Sequence, residues 1–332
     1  MDQSTARKRK KARRAARRRV LNTGVGKELV RQQASMGVLH RFSTERFDMS
    51  GAFSDGTAVI KVDIGPYTYQ MFMLTLVSDA EIAGKTTLVN GRHIVNTANI
   101  SDYLENVELR IDGRRRRNQS VEDLLAVSAY RDLDVMEGHL IIPFGGPNLF
   151  DDPDMEDLYM LGTKNLRDLR IHVDFTPDWD STSMHLVATA EYAPVERNVS
   201  HFEGIEEYRY SFDSGGDHTI TDLPTHSDIS HILVFADGMG DVELKVDNLI
   251  MAEGNVYDLN AVNALHGRDI AALGNHFMWD AWRGGEAKKG LAGLRTAAQS
   301  RRNAKLRLKL NLAGPAEVRV VVGQCGPLAQ QD

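Results

Sequence analysis

"VELRIDGRRRRNQSVEDLLAV" occupies Val107–Val127, and "VELKVDNLIMAEGNVYDLNAV" occupies Val242–Val262. Aligned without gaps at an offset of 135, residues 107–129 and 242–264 are identical at ten of 23 positions. Arg110/Lys245 and Ile111/Val246 add conservative pairs. Both copies obey the same physics. Val107, Leu109 and Ile111 alternate with Glu108, Arg110 and Asp112, the period of a strand with one dry and one wet face. A loop is expected next, then a helix start. Ser120 precedes Asp123 by three residues, as Asn255 precedes Asp258. That spacing lets the first residue cap a backbone N–H while the acid bonds back and complements the helix dipole. Behind the caps, Val121, Leu124 and Leu125 form an apolar stripe in one copy, and Val256, Leu259 and Val262 in the other.

The parallel extends outward from this phrase. "GHLIIPFG" (Gly138–Gly145) answers to "GNHFMWDAW" (Gly274–Trp282), "LRDLRIHVDF" to "AKLRLKLNLA", and "MHLVATAEY" (Met184–Tyr192) to "EVRVVVGQC" (Glu317–Cys325). Upstream, "SDGTAVIKVDI" answers to "GGDHTITDL", each followed by an apolar strand, "YQMFMLTLV" or "ISHILVFA". Alternation recurs in "AVIKVDI", "LRIHVDF" and "LRLKLNL", and turns such as "FSDGT", "DSGGD" and "AGPAE" separate the strands. Wet/dry alternation favours antiparallel sheets, and no regular βαβ rhythm appears. The expected fold is all-β: two tandem jelly-roll sandwiches, each of roughly eight strands with one short inserted helix. Their expected bounds are 41–195 and 196–332, joined near "APVERNVS", after a basic arm and connector over 1–40.

The chain's 332 residues, 42% of them hydrophobic, suffice for about two domains with sizeable cores. One cysteine, Cys325, excludes an internal disulfide framework and a cysteine-rich zinc site. No apolar run approaches the ~20 residues of a membrane-spanning helix, and the basic start is not followed by a signal-peptide core. The net charge of −6 conceals an asymmetry. Residues 1–20 carry ten basic residues and one acid, leaving 30 basic against 45 acidic residues, a net of −15, over 21–332. The ten are Arg7, Lys8, Arg9, Lys10, Lys11, Arg13, Arg14, Arg17, Arg18 and Arg19. Such a block has no apolar stripe to bury and reads as an arm that meets a polyanion. Duplex DNA, at a salt-dependence slope of about −0.9 per phosphate neutralised, and anionic lipid, at about 1 kcal/mol per basic residue, both fit. A solubilising or targeting tail is the plainer alternative.

The paired "VELRID…SVEDL" and "VELKVD…NVYDL" segments, with paired C-terminal strands ending in "AEVRVVVGQCG", carry a family resemblance. Over nearly all of 41–325 the chain resembles the double-jelly-roll major capsid proteins of tailless, membrane-containing icosahedral bacteriophages, most like the corticovirus-type coat protein. The resemblance implies a structural virion protein synthesised in the host cytoplasm. Two upright barrels per subunit would form a trimer of roughly hexagonal outline, and trimers would tile an icosahedral shell beside other capsid proteins such as a penton. The N-terminal segment would lie on the inner side, near membrane lipid or DNA.

Signatures of catalysis are absent. "GKTT" (Gly84–Thr87) ends like a phosphate-binding loop, but Asp79 stands where that loop needs glycine. "NTGVGKE" has Glu28 after Lys27. The eleven histidines are dispersed, with no H-E-x-x-H, and no G-x-S-x-G elbow exists. No enzyme activity and no resident cofactor are expected. "DDPDMED" (Asp151–Asp157) reads first as a helix start, with Asp152 capping and Pro153 at the first position. Asp151, Asp152 and Asp154 are its candidate Ca²⁺ ligands, without EF-hand spacing. Arg114, Arg115, Arg116 and Arg117 face "LIMA" (Leu249–Ala252) in the second copy, so the repeated fold does not require them. They read as a solvated turn or as a contact with a neighbouring subunit. A basic insertion over 283–305, with Lys288, Lys289, Arg301 and Arg302, is expected to meet the acidic stretch 145–165 of another subunit. The alternative function, a carbohydrate-binding β-sandwich, calls for exposed aromatics, and the chain has three tryptophans, Trp179, Trp279 and Trp282.

Overall fold

A computed structural model describes residues 56–131, 137–144, 160–193, 196, 198, 199, 201–224, 228–247, 249–265, 268–274, 276–281 and 305–327. The arm, the candidate Ca²⁺ ligands Asp151, Asp152 and Asp154, and the loop residues Lys288, Lys289, Arg301 and Arg302 lie outside this set. The chain runs β1 (Thr57–Lys61), β2 (Thr68–Ser78), β3 (Thr86–Val89), β4 (Arg92–Val95), β5 (Leu104–Ile111), β6 (Arg114–Ser120), α1 (Val121–Tyr130), β7 (His139–Pro143), β8 (Leu161–Gly162), β9 (Leu169–Phe175) and β10 (Met184–Ala193). It continues with β11 (His201–Phe212), β12 (Gly216–Ile220), β13 (Asp228–Phe235), β14 (Met239–Val246), β15 (Leu249–Asn255), α2 (Val256–Leu265), β16 (Phe277–Asp280), β17 (Leu306–Leu312) and β18 (Ala316–Pro327).

Two sandwiches result, and their strand orders coincide. In the second, the sheets are β12-β17-β14-β15 and β11-β18-β13-β16, the two four-stranded sheets of a jelly roll. In the first, β1-β9-β5-β6 repeats the former, and β10-β2-β7 repeats β18-β13-β16. No described strand of the first barrel fills the place of β11. The β3–β4 hairpin and β8 are additions to the first barrel, both attached to β2. Every segment correspondence read from the sequence falls on equivalent strands. The alternating residues behave as their period requires: Val107, Leu109, Ile111, Leu169, Ile171 and Val173 fill one core, and Leu306, Leu308, Leu310 and Leu312 the other.

One expectation fails within the quoted phrase. The segment after Ile111 is not a loop but a strand, β6. Asp112 and Gly113 both adopt positive φ, 54° and 79°, and make a two-residue hairpin turn whose twist matches its strands. The Asp112 side chain secures the turn by accepting from the backbone N–H groups of Arg167 and Asp168, at 2.7 and 3.0 Å. Asp247 repeats the device, with φ 54° and a bond from Lys305 N at 3.0 Å. Pairings agree too: Val107↔Gln119 and Val242↔Gly254 are the same pair, and the bulge after Leu109 recurs after Leu244. β6 escaped the sequence reading because "RRRRNQS" has no apolar alternation. It is a strand because of the hairpin and its partners.

Among the described strands all sheet pairings are antiparallel except one. β6 meets β11 in parallel at Arg117↔Ile205, which joins β1-β9-β5-β6 to β11-β18-β13-β16 in one eight-stranded sheet. That seam holds the two barrels side by side.

Candidate functional site

Helix α1 sits on the seam and is apolar on two sides. Ser120 caps it, its Oγ accepting from Asp123 N at 3.1 Å. Val121 and Leu124 point into the first barrel's core. Val127 and Tyr130 pack instead with Ile205, Leu233, Leu273, Met278 and Val321 of the second barrel. Such a helix must be covered on both sides, and the two barrels cover it. Asp123 does not bond back to the helix start as the sequence spacing suggests. It is fully buried and pairs with Arg319 Nη2 of β18 at 2.8 Å. Arg319 Nη1 also donates to Ser120 Oγ at 3.1 Å, so the capping residue is itself tied to the second barrel. Burial pushes the Asp123 carboxyl up to about 7, against the pull of Arg319.

A buried charged network lies beside the helix. Arg117 is 3% exposed, which corrects its reading as a turn residue or a subunit contact; Arg114 and Arg115 are exposed and Arg116 is half-buried. Its Nε donates to the Glu203 carbonyl and its Nη1 to the Pro143 carbonyl, both at 2.7 Å. Nη2 lies 3.6 Å from Glu203 Oε2. The guanidinium is 4.9 and 5.2 Å from the Phe144 and Phe202 ring centres, close enough for cation–π attraction. Arg131, the residue closing α1, places Nη2 3.7 Å from Glu203 Oε1 and 3.1 Å from His231 Nδ1. Ser230 Oγ donates to Glu203 Oε1 at 2.6 Å. Burial alone would raise the Glu203 carboxyl, but Arg131, His231 and Arg117 outweigh it and hold it below the usual carboxylate range. Burial lowers Arg117 to about 10 and also lowers His231. Gly323 faces His231 across the sheet, where a Cβ would stand 2.3 Å from both His231 Nδ1 and Ser230 Oγ.

The network spans the seam: Arg117 and Arg131 come from the first barrel, and Glu203, Ser230 and His231 from the second. Sequence reading found Arg117, as one of four arginines, but not Glu203, His231 or Arg131. A faint signal existed for Arg117, because its counterpart in the second copy is Ala252.

Among the described residues no group of three or more His, Cys, Asp or Glu side chains is placed to hold a metal ion. No helix among them is long and apolar enough to cross a membrane. Trp279 is buried, and Trp179 packs against the first core, its ring centre 4.2 Å from that of Phe175.

Two matched eight-strand-type barrels, joined edge to edge and locked by a helix and buried charges, define a double jelly-roll protein. Solved structures share this fold. The major capsid protein P2 from bacteriophage PM2 superposes with a TM-score of 0.66 at 19% identity, over 82% of this chain and 91% of that one. A chain of the Sulfolobus turreted icosahedral virus gives 0.54 at 10% identity, over 83% and 87%. A chain of the PBCV-1 virus capsid gives 0.50 at 8% identity, over 81% and 89%. No protein-family model and no curated protein matches the chain. The fold expected from the resemblance to corticovirus-type coat proteins is therefore the fold found.

Proposed function

We propose that the chain is the major capsid protein of an icosahedral virus, a structural rather than catalytic component of the virion. The observation that carries this reading is the pair of matched barrels joined side by side through β6 and β11. Two near-equivalent barrels per chain give three chains six similar outer faces, an outline that tiles a lattice by self-association. Residues 1–40 form an arm and connector, 41–195 the first barrel and 196–332 the second. The arm, with ten basic residues in its first 20, faces inward to the viral membrane or genome, and a penton protein completes the fivefold positions. Trp279 is buried and Trp179 is half-buried against the first core, which offers no support for a carbohydrate-binding sandwich.

Size-exclusion chromatography with light scattering, followed by electron microscopy of the concentrated protein, tests the proposal. A stable trimer that forms sheets or shells supports it; a monomer that binds glycans overturns it. Deleting residues 1–20 should leave the trimer intact and abolish salt-sensitive binding to duplex DNA or anionic liposomes. Binding to both with unchanged salt dependence refutes the role given to the arm.

A further inference from the structure

Arg114 and Arg115 take no part in the buried network, and the repeat gives them counterparts. At the offset of 135 they become Leu249 and Ile250, which are 61% and 47% exposed. Both pairs follow a hairpin turn, Asp112–Gly113 in the first barrel and the turn at Asp247 in the second. One turn exposes two arginines, and its twin exposes two large apolar side chains.

Strand directions put the two turns at the same end of the molecule. β6 starts at Arg114 and runs parallel to β11, so His201, the start of β11, lies at the Arg114 end. At the far end Phe212 of β11 pairs with Ala316 of β18. A short turn separates Ala316 from Leu312, the last residue of β17, so Leu306 at the start of β17 returns to the His201 end. Leu306 pairs with Val246, the residue before the turn that leads to Leu249.

Basic residues accompany both turns. On the outer face of the first barrel, Lys61, Arg170, Arg110 and Arg115 stand directly opposite one another across β1, β9, β5 and β6. Lys61, Arg170 and Arg115 are exposed and Arg110 is half-buried. Like charges opposed across a ladder destabilise it. Glu108 and Asp168 meet two of the four, Arg110 and Arg170. An anionic surface outside the chain would offset the repulsion along the row. In the second barrel Lys245 stands between Arg307 and Ile250 in the same register, so the apolar pair also has cations beside it.

Exposed apolar side chains on a hairpin tip, flanked by basic groups, suit the boundary of an anionic bilayer. The apolar groups enter the acyl boundary while the cations meet phosphates. A nucleic acid would engage the arginine row and leave Leu249 and Ile250 in water, so the apolar pair favours the bilayer.

We infer that the end carrying both turns binds an anionic phospholipid bilayer. Leu249 and Ile250 enter the boundary between headgroups and acyl chains, and the row from Lys61 to Arg115, with Arg114, lies on the phosphates. That this bilayer lies inside a virion rests on the capsid reading above; the affinity of the surface does not.

The test uses the full chain and vesicles of phosphatidylglycerol and phosphatidylcholine. Leu249→Cys carries an environment-sensitive fluorophore, and the native Cys325 is buried. On these vesicles the label should shift to the blue and be quenched by acyl-chain spin labels. On phosphatidylcholine alone it should not, nor should the same label on Leu88→Cys of β3, a comparably exposed leucine. An unshifted Leu249→Cys label on vesicle-bound protein overturns the inference. Co-sedimentation gives the second readout, with dichroism and light-scattering mass measured on the same samples. Leu249→Ser/Ile250→Ser should bind these vesicles about tenfold more weakly. Arg114→Gln/Arg115→Gln should lose about fivefold per arginine. The basic arm is common to all variants, so its contribution leaves these ratios unchanged. Wild-type affinity in both variants overturns the inference. So does an arginine variant that loses duplex DNA but keeps vesicles, which would make the row a nucleic-acid contact. An unchanged trimer mass in either case leaves the capsid reading standing.

Discussion

Glu203→Ala should be among the most damaging single substitutions in the chain. Glu203 is 6% exposed and stands between two guanidinium groups that are 3% and 2% exposed, 3.6 and 3.7 Å from its oxygens. At an effective dielectric of about 20, each pair is worth roughly 4–5 kcal/mol of gross attraction. Against this stands a desolvation cost of several kcal/mol for the carboxylate itself. Deleting it spares that cost but leaves Arg117 and Arg131 repelling each other in a dry site, so the net loss is about 3–5 kcal/mol. Urea unfolding followed by tryptophan fluorescence measures the loss directly. Calorimetry should register a fall in Tm of roughly 2–4 °C per kcal/mol. Glu203→Gln separates charge from shape, because the amide can still accept from Ser230. It should lie within about 1 kcal/mol of the alanine variant. A loss below about 1 kcal/mol for Glu203→Ala, or wild-type stability for Glu203→Gln, would refute an electrostatic role at the seam.

Three further outcomes follow from the same contacts. Ser120→Ala removes the α1 cap and a partner of Arg319, and should cost about 1–2 kcal/mol in urea unfolding; Asn255→Ala, on solvent-facing α2, should cost about half as much. Gly323→Ala puts a methyl 2.3 Å from His231 Nδ1 and Ser230 Oγ, and should lower stability by about 1–3 kcal/mol; an unchanged melting temperature would show that the network yields. The Glu203 carboxyl titrates lower when folded than its ordinary value of 4.5, so below that value the folded state binds fewer protons than the unfolded. Its contribution is complete above pH 4.5 and is lost as pH falls further. Urea midpoints from pH 6 to pH 3 should fall more steeply for wild type than for Glu203→Gln, and parallel curves would contradict the assignment.

The repeat made the fold legible. Alternation fixes which residues of β5, β9 and β17 face a core, and turn chemistry punctuates them, so the correspondence of strands followed from matching the two copies. The site was harder to see, for physical reasons. β6 carries its arginines at the seam between the barrels, where pairing with β5 and β11 rather than apolar alternation makes the strand. Glu203 lies in "HFEGIEEYRY", and no local pattern separates its buried carboxylate from the more exposed Glu206 and Glu207 of the same strand. Burial there is decided by a neighbour about 86 residues away in sequence. Val262 illustrates the converse: helical spacing assigned it inward, but Asn260 and Asn263 turn inward to satisfy the His276 and Met278 carbonyls, and Val262 is exposed.

Several of the differences between the two copies fall on the seam that joins the barrels. Asp112 and Asp247, Val121 and Val256, and the bulges after Leu109 and Leu244 are held in common because each barrel needs them to close its own sandwich. Arg117 and Ala252, Tyr130 and Leu265, or Arg319 and Val187 are not needed for that. A buried ion pair gains little over apolar packing once desolvation is counted, yet it penalises any misaligned arrangement heavily. Such a contact suits two barrels tethered in one chain, which must settle into a single relative placement during folding.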